Sequence, residues 1–101
     1  MNAQANEPLF RAGQLLMTPG ALQALAEAQQ DPMELLNRHF RGDWGDLDEE
    51  DKQENELSLR EGYRLLSAYR TNLNVKLWVI TEAADDAGQR AATTILLPAE
   101  Y

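Results

Sequence analysis

His39 is the sole histidine of a 101-residue chain that has no cysteine, so it is the first side chain to weigh for chemistry. A lone imidazole acts as a general base near neutral pH if a carboxylate orients it, and Asp43 lies four residues on. With Arg64 and Arg70 as phosphate-binding groups, His39 would make a small toxin-type nuclease. Ser58, Ser67 and the threonines, however, sit in no nucleophile motif. The expected state of His39 is therefore a packed or surface residue, four positions from Leu35 on one helical face.

The carboxylates form the second group. Between Gly42 and Glu61 stand nine acids, Asp43, Asp46, Asp48, Glu49, Glu50, Asp51, Glu54, Glu56 and Glu61, against Lys52 and Arg60, a net −7 in a chain of net −8. Hard cations take several oxygen ligands, which invites a calcium reading. Counting from Asp43, Glu54 fills the twelfth place of a calcium loop, but Asp48 stands at the sixth, where the sharp turn needs glycine. Capping and solvated acids are the ordinary use of such residues, and no metal or other cofactor is expected. Gly42 and Gly45 belong to no phosphate-cradling pattern.

Charge also bounds the partners. Affinity for a phosphate backbone comes from Lys and Arg displacing counterions, so direct nucleic-acid binding is disfavoured. If Gly42–Glu61 were all helix, its net charges would be about 4 Å apart, close to the 3.4 Å of one DNA strand. That spacing suits a basic protein surface, including that of a nucleic-acid-binding host protein. On this reading Asp43, Asp46, Asp48, Glu49, Glu50, Asp51, Glu54 and Glu56 form the contact.

The elements that must position these groups follow from spacing. Leu15-Leu16-Met17 reads as a short strand or an extended lead-in. Thr18 caps a helix with Pro19 in its first turn and Leu22, Leu25 and Ala26 at helical spacing, running to about Gln29. Asp31-Pro32-Met33-Glu34 repeats that grammar as a capping box and opens a helix to about Phe40. The loop Arg41–Leu47 needs Trp44 as an anchor. Asp48 caps a third helix, mostly solvated, with Asp48–Lys52 and Glu56–Arg60 as i,i+4 pairs and Gly62 as its left-handed stop.

From Tyr63 the period changes to two. Tyr63–Arg70 and Val75–Glu82 form antiparallel strands about a Thr71–Asn74 turn, and Arg90–Leu97 follows a second turn at Asp85–Gln89. The expected fold is α+β, N-terminal helices packed on a C-terminal three-stranded antiparallel meander, as one domain over 9–101 after a frayed leader at 1–8. Both faces of the strands carry apolar residues, so helices cover one face and the other is partly covered. Trp44, Trp78, Tyr63 and Tyr69 are expected to be core. Without cysteine, a secretory signal or an apolar run of roughly 18–20 residues, a soluble cytoplasmic protein that meets no membrane is expected.

Several stretches carry a resemblance: Thr18-Pro19-Gly20-Ala21, Arg38-His39-Phe40-Arg41-Gly42-Asp43-Trp44-Gly45-Asp46-Leu47, Asp51, Asn55-Glu56, Gly62 and Arg64-Leu65-Leu66-Ser67-Ala68-Tyr69. Trp78-Val79-Ile80-Thr81-Glu82 and Thr93-Thr94-Ile95-Leu96-Leu97-Pro98-Ala99-Glu100-Tyr101 complete it, so that it runs from about residue 9 to the C-terminus. The chain resembles a family of short bacterial proteins of plasmids and integrated elements, labelled hypothetical or plasmid-related and sometimes with restriction-system labels. The resemblance implies a mobile-element setting and brings no activity or catalytic residues. The leading expectation is a non-enzymatic acidic interaction protein of such elements, in its narrowest form a DNA-mimicking inhibitor of a host defence nuclease. The alternatives are the nuclease above, and a scaffold or regulatory subunit that dimerises through an edge strand.

Overall fold

The computed structural model describes residues 7–101, so the expected leader at 1–8 lies outside the described residues except for Glu7 and Pro8. Its elements are β1 (Gln14–Met17), α1 (Pro19–Ala28), α2 (Pro32–Phe40), α3 (Glu49–Glu61), β2 (Leu65–Arg70), β3 (Lys76–Thr81) and β4 (Ala92–Leu96), ending in a 3-10 turn at Pro98–Glu100. The α+β class is as expected, and β2, β3 and β4 do follow one another as antiparallel neighbours.

The sheet is nevertheless larger than the expected three-stranded meander. Its order is β1-β4-β3-β2, a four-stranded mixed sheet in which β1 runs parallel to β4, with Leu15 beside Thr93 and Met17 beside Ile95. The short apolar run is thus a strand, and three helices with two strands intervene before its partner arrives. Gly13 makes the approach possible. Its φ is +66°, and a Cβ there would run into the carbonyls of Arg90 and Ala91.

Helix caps follow the sequence closely. The Thr18 hydroxyl accepts from the Ala21 N–H at 3.3 Å, the Asp31 carboxylate from Met33 at 2.9 Å, and the Asp48 carboxylate from Asp51 at 2.8 Å. Each satisfies a donor with no partner inside its own helix. Two expectations fail. Glu34 does not return to close a capping box; its carboxylate accepts instead from the Gln30 amide at 3.4 Å. The Asp48–Lys52 and Glu56–Arg60 pairs do not form: the ion pairs among the described residues are Arg38–Asp43 and Arg70–Asp46. Asp48 is held by its cap, and Glu56 by Trp44.

Registered residues of neighbouring strands share a face. On one face lie Leu65, Ser67 and Tyr69 of β2, Leu77, Val79 and Thr81 of β3, and Thr93 and Ile95 of β4. There Tyr69, Leu77, Val79 and Ile95 pack with Ala21, Ala24 and Leu25 of α1 and Leu35 and Leu36 of α2 into the main core. The opposite face carries Leu66, Ala68, Trp78, Ile80 and Leu96. Its cover is thinner: the Tyr101 ring meets Trp78 edge-on at 5.9 Å, with Arg64 over Tyr101. Of the four expected core aromatics, Trp44 and Tyr69 are buried, Trp78 is half-buried and Tyr63 is 55 % exposed.

Candidate functional site

His39 is fully buried at the last turn of α2, because Leu35, Leu36 and His39 fall on one side of that helix. Both ring nitrogens are occupied. Nδ1 lies 2.6 Å from the Ser67 hydroxyl and Nε2 lies 2.9 Å from the Thr81 hydroxyl. Thr81 continues to Thr93 at 2.7 Å, and Thr93 donates to the Ala12 carbonyl at 2.8 Å.

The direction of every proton follows from that last bond. Since the Thr93 hydrogen goes to Ala12, Thr81 must donate to Thr93, and its own oxygen is left to accept from Nε2–H. His39 is therefore the Nε2–H tautomer, and Ser67 donates to Nδ1. The network joins α2, β2, β3, β4 and the lead-in to β1. It sits among aromatic rings, with Phe10 5.2 Å and Trp44 5.7 Å from the imidazole. Burial, helped by the charge of Arg90, pushes the His39 pKa down to about 3. A neutral, enclosed ring with both nitrogens bonded is a structural crosslink between elements.

The nuclease constellation does not assemble. Arg64 and Arg70 are exposed and belong to the parity of Leu66 and Ala68, whereas His39 bonds Ser67 on the other face of the same strand. Arg64 is engaged with the Tyr101 hydroxyl, and Arg70 bonds Asn74 and pairs with Asp46 at 3.8 Å. Asp43, the carboxylate expected to orient His39, is held instead by Arg38 through bonds of 2.7 and 3.3 Å. That guanidinium holds the Asp43 carboxyl below the usual carboxylate range, and it also lies 4.4 Å above the Tyr69 ring.

The acidic segment divides into two sets. One set is built into the fold. Asp43 bonds Arg38, Asp46 pairs loosely with Arg70, Asp48 caps α3, and Glu56 accepts from the Trp44 indole N–H at 3.0 Å. Trp44 is 4 % exposed and anchors its loop as expected, while its carbonyl accepts from Ala68 at 3.1 Å. The next residue, Gly45, has φ +75° and lies so close to the Ala68 carbonyl that no Cβ would fit. The loop therefore runs beside β2 and pairs with it through a single parallel bridge, Gly45 to Ala68.

The second set is solvated. Glu49, Glu50, Asp51 and Glu54 are exposed on α3 and take no side-chain partner among the described residues. By helical spacing Glu50 and Glu54 share a ridge with Glu61, and Asp51 stands one step round, beside a groove that Leu47, Asn55, Tyr63 and Arg64 also line. The charge is sparser than the all-helical count implied: α3 carries a net −4 over about 20 Å, one charge per about 5 Å.

What fixes this helix was not foreseen. Asn55 is buried in the middle of the acidic run. Its side chain donates to the Leu66 carbonyl at 2.6 Å and accepts from the Leu66 N–H at 3.1 Å, as a neighbouring strand would. Arg90 fastens the other end, donating to the carbonyls of Ser58, Tyr63 and Glu82 at 3.2, 2.7 and 2.9 Å. Two amides, Gln53 and Asn55, interrupt the acids of this helix, but the partner of Asn55 is backbone, which no side-chain pattern reveals.

Among the described residues no group of three or more His, Asp or Glu side chains is arranged to hold a metal ion. No helix among them is long and apolar enough to cross a membrane. No family model, curated protein or solved structure matches this chain.

Proposed function

We propose that the protein is a non-catalytic interaction module whose third helix presents Glu49, Glu50, Asp51 and Glu54 to a basic protein surface. The observation that carries this reading is the division of the acids: one set is bonded into the fold, while this set stands free on a helix whose inner side is fixed to the sheet edge by Asn55. A rigidly mounted acidic ridge loses little conformational freedom on docking, and its field steers a cationic partner toward it. Asp43, Asp46, Asp48 and Glu56 act indirectly, by holding the loop and the start of the helix. A nucleic-acid-binding protein of the host is the partner class that this charge fits best, and a defence nuclease is the narrow form that a mobile-element setting favours.

The test compares proteins captured from a bacterial lysate by the native chain and by a Glu49→Gln, Glu50→Gln, Asp51→Asn, Glu54→Gln variant, each at low and high salt. Exposed substitutions of this kind change stability by only about 0.5 kcal/mol each, so the variant stays folded. Basic partners that are lost both on substitution and on raising the salt support the reading. Capture of the same partners by the variant sinks it.

A further inference from the structure

The two edges of the sheet are treated differently. At β2 the outward backbone groups of Leu66 and Ala68 are closed, the first by Asn55, which bonds both N–H and C=O, and the second by the loop, where Ala68 donates to the Trp44 carbonyl and accepts from Asp46. At β1 the Gln14 and Thr18 N–H groups point inward to the Ala91 and Ile95 carbonyls at 3.0 Å each. Strand alternation then turns the N–H and C=O of Leu15 and Met17 outward, where they have no partner among the described residues. Apart from its shortness, four residues, the strand carries none of the usual protections of a free edge: it contains no lysine, no proline and no inward-pointing charge.

Its side chains match its backbone. Leu15, Leu16 and Met17 are 47, 42 and 38 % exposed. They line an apolar groove of about 260 Å³, completed by Pro32, Met33 and Leu36 of α2, with Asp31 at its rim. In a chain of net −8, the fifteen residues Ala12–Ala26 carry no charge at all. The acidic helix, meanwhile, is mounted beyond β2, at the far edge of the sheet.

We propose that β1 pairs with β1 of a second copy of this chain, antiparallel about a two-fold axis through Leu16, making one continuous eight-stranded sheet. The register follows from which groups are free. Residues with outward N–H and C=O must face each other, so Leu15 of each copy exchanges both backbone bonds with Met17 of the other, and the two Leu16 residues meet on the axis as a non-hydrogen-bonded pair. Leu15 and Met17 of one copy then extend over the groove edge formed by Pro32 and Met33 of the other. Charge selects this occupant. Two copies carrying −8 each repel wherever acids approach, and pairing through β1 sets both acidic helices at opposite ends of the joined sheet.

Analytical ultracentrifugation of the full chain over a concentration series, with and without added salt, reads the assembly. The expected result is a dimer at about 200 µM, a concentration well above a micromolar dissociation constant, that tightens as salt screens the residual repulsion. Leu16→Lys places two like charges on the axis and is expected to yield a folded monomer, weakening association at least about tenfold. Because the chain has no cysteine, Leu16→Cys gives a second readout. Its Cα atoms in the dimer would lie about 4.5 Å apart, within the span of a disulfide, so mild oxidation should crosslink it readily. Leu73→Cys, on the exposed turn between β2 and β3, should not crosslink. A chain that stays monomeric at that concentration overturns the proposal. So does a dimer that Leu16→Lys leaves intact, or a Leu16→Cys chain that crosslinks no faster than the Leu73→Cys control.

Discussion

The chain handles polarity in opposite ways in two places. Around His39 each polar atom is bonded to another inside the protein, and the ring is fully buried. On α3 the carboxylates Glu49, Glu50, Asp51 and Glu54 are left to water, and only the inner side of the helix, through Asn55, touches the sheet. Polar groups in a low-dielectric interior act as directional crosslinks that cost dearly when broken, whereas exposed charges contribute little to stability and remain available to a partner. The residue that looks most catalytic in the sequence is thus a fastener, while the carboxylates at the start of α3 are left exposed.

Breaking the buried side should give the largest effect. His39→Leu leaves the Ser67 and Thr81 hydroxyls without their ring partner, and we expect a loss of about 2–4 kcal/mol, measured by urea unfolding at pH 7. Glu50→Gln measured the same way is the contrasting case, with a change near zero.

Acid should act on the same ring. His39 has a native pKa of about 3, below the ordinary 6.5 of the unfolded chain. Between those values the unfolded state binds a proton that the native state refuses, so stability falls as pH is lowered through 6.5, by up to about 1.4 kcal/mol per unit. Above pH 6.5 the ring adds no pH dependence. Asp43 is depressed in the folded state, so its stabilisation is lost only at still lower pH, as the pH falls below 3.8. Comparing the pH 7 to 5 slopes of the native chain and a His39→Gln variant isolates the ring, and equal slopes would contradict its buried neutral state.

A smaller loss than that at His39 sharpens the comparison at its boundary. Asn55→Ala removes two hydrogen bonds and exposes the Leu66 backbone to water at the sheet edge. A loss of about 1–2 kcal/mol is expected, with hydrogen exchange rising at Leu66 and along α3 while the His39 core stays protected.

The local elements were legible in the sequence because their signals are local. Thr18, Asp31 and Asp48 each cap the helix that follows them, Gly62 closes the third helix in a left-handed conformation, and the Asn74 and Gly88 turns separate the strands where the period of two is interrupted. The spacing of His39 to Leu35 left it either packed or at the surface, and the structure buries it. Its partners were not legible: Ser67, Thr81 and Thr93 each occupy an inward strand position, but only the register places the three beside one another. The acidic run was read as one surface because charge counting does not distinguish a carboxylate that bonds Arg38 or the Trp44 indole from one that faces water.

The sequence by itself determined the class of the fold, the ends of its helices, the strands of its second half and the placement of negative charge, since all of these depend on residues within a few positions of each other. Tertiary structure alone decided that β1 joins the sheet beside β4, that Asn55 takes the place of a strand at β2, and that His39 ties five segments together. Those outcomes depend on which groups far apart in the chain meet when the core closes, and a hydrogen bond between distant residues leaves no periodic trace in either of them.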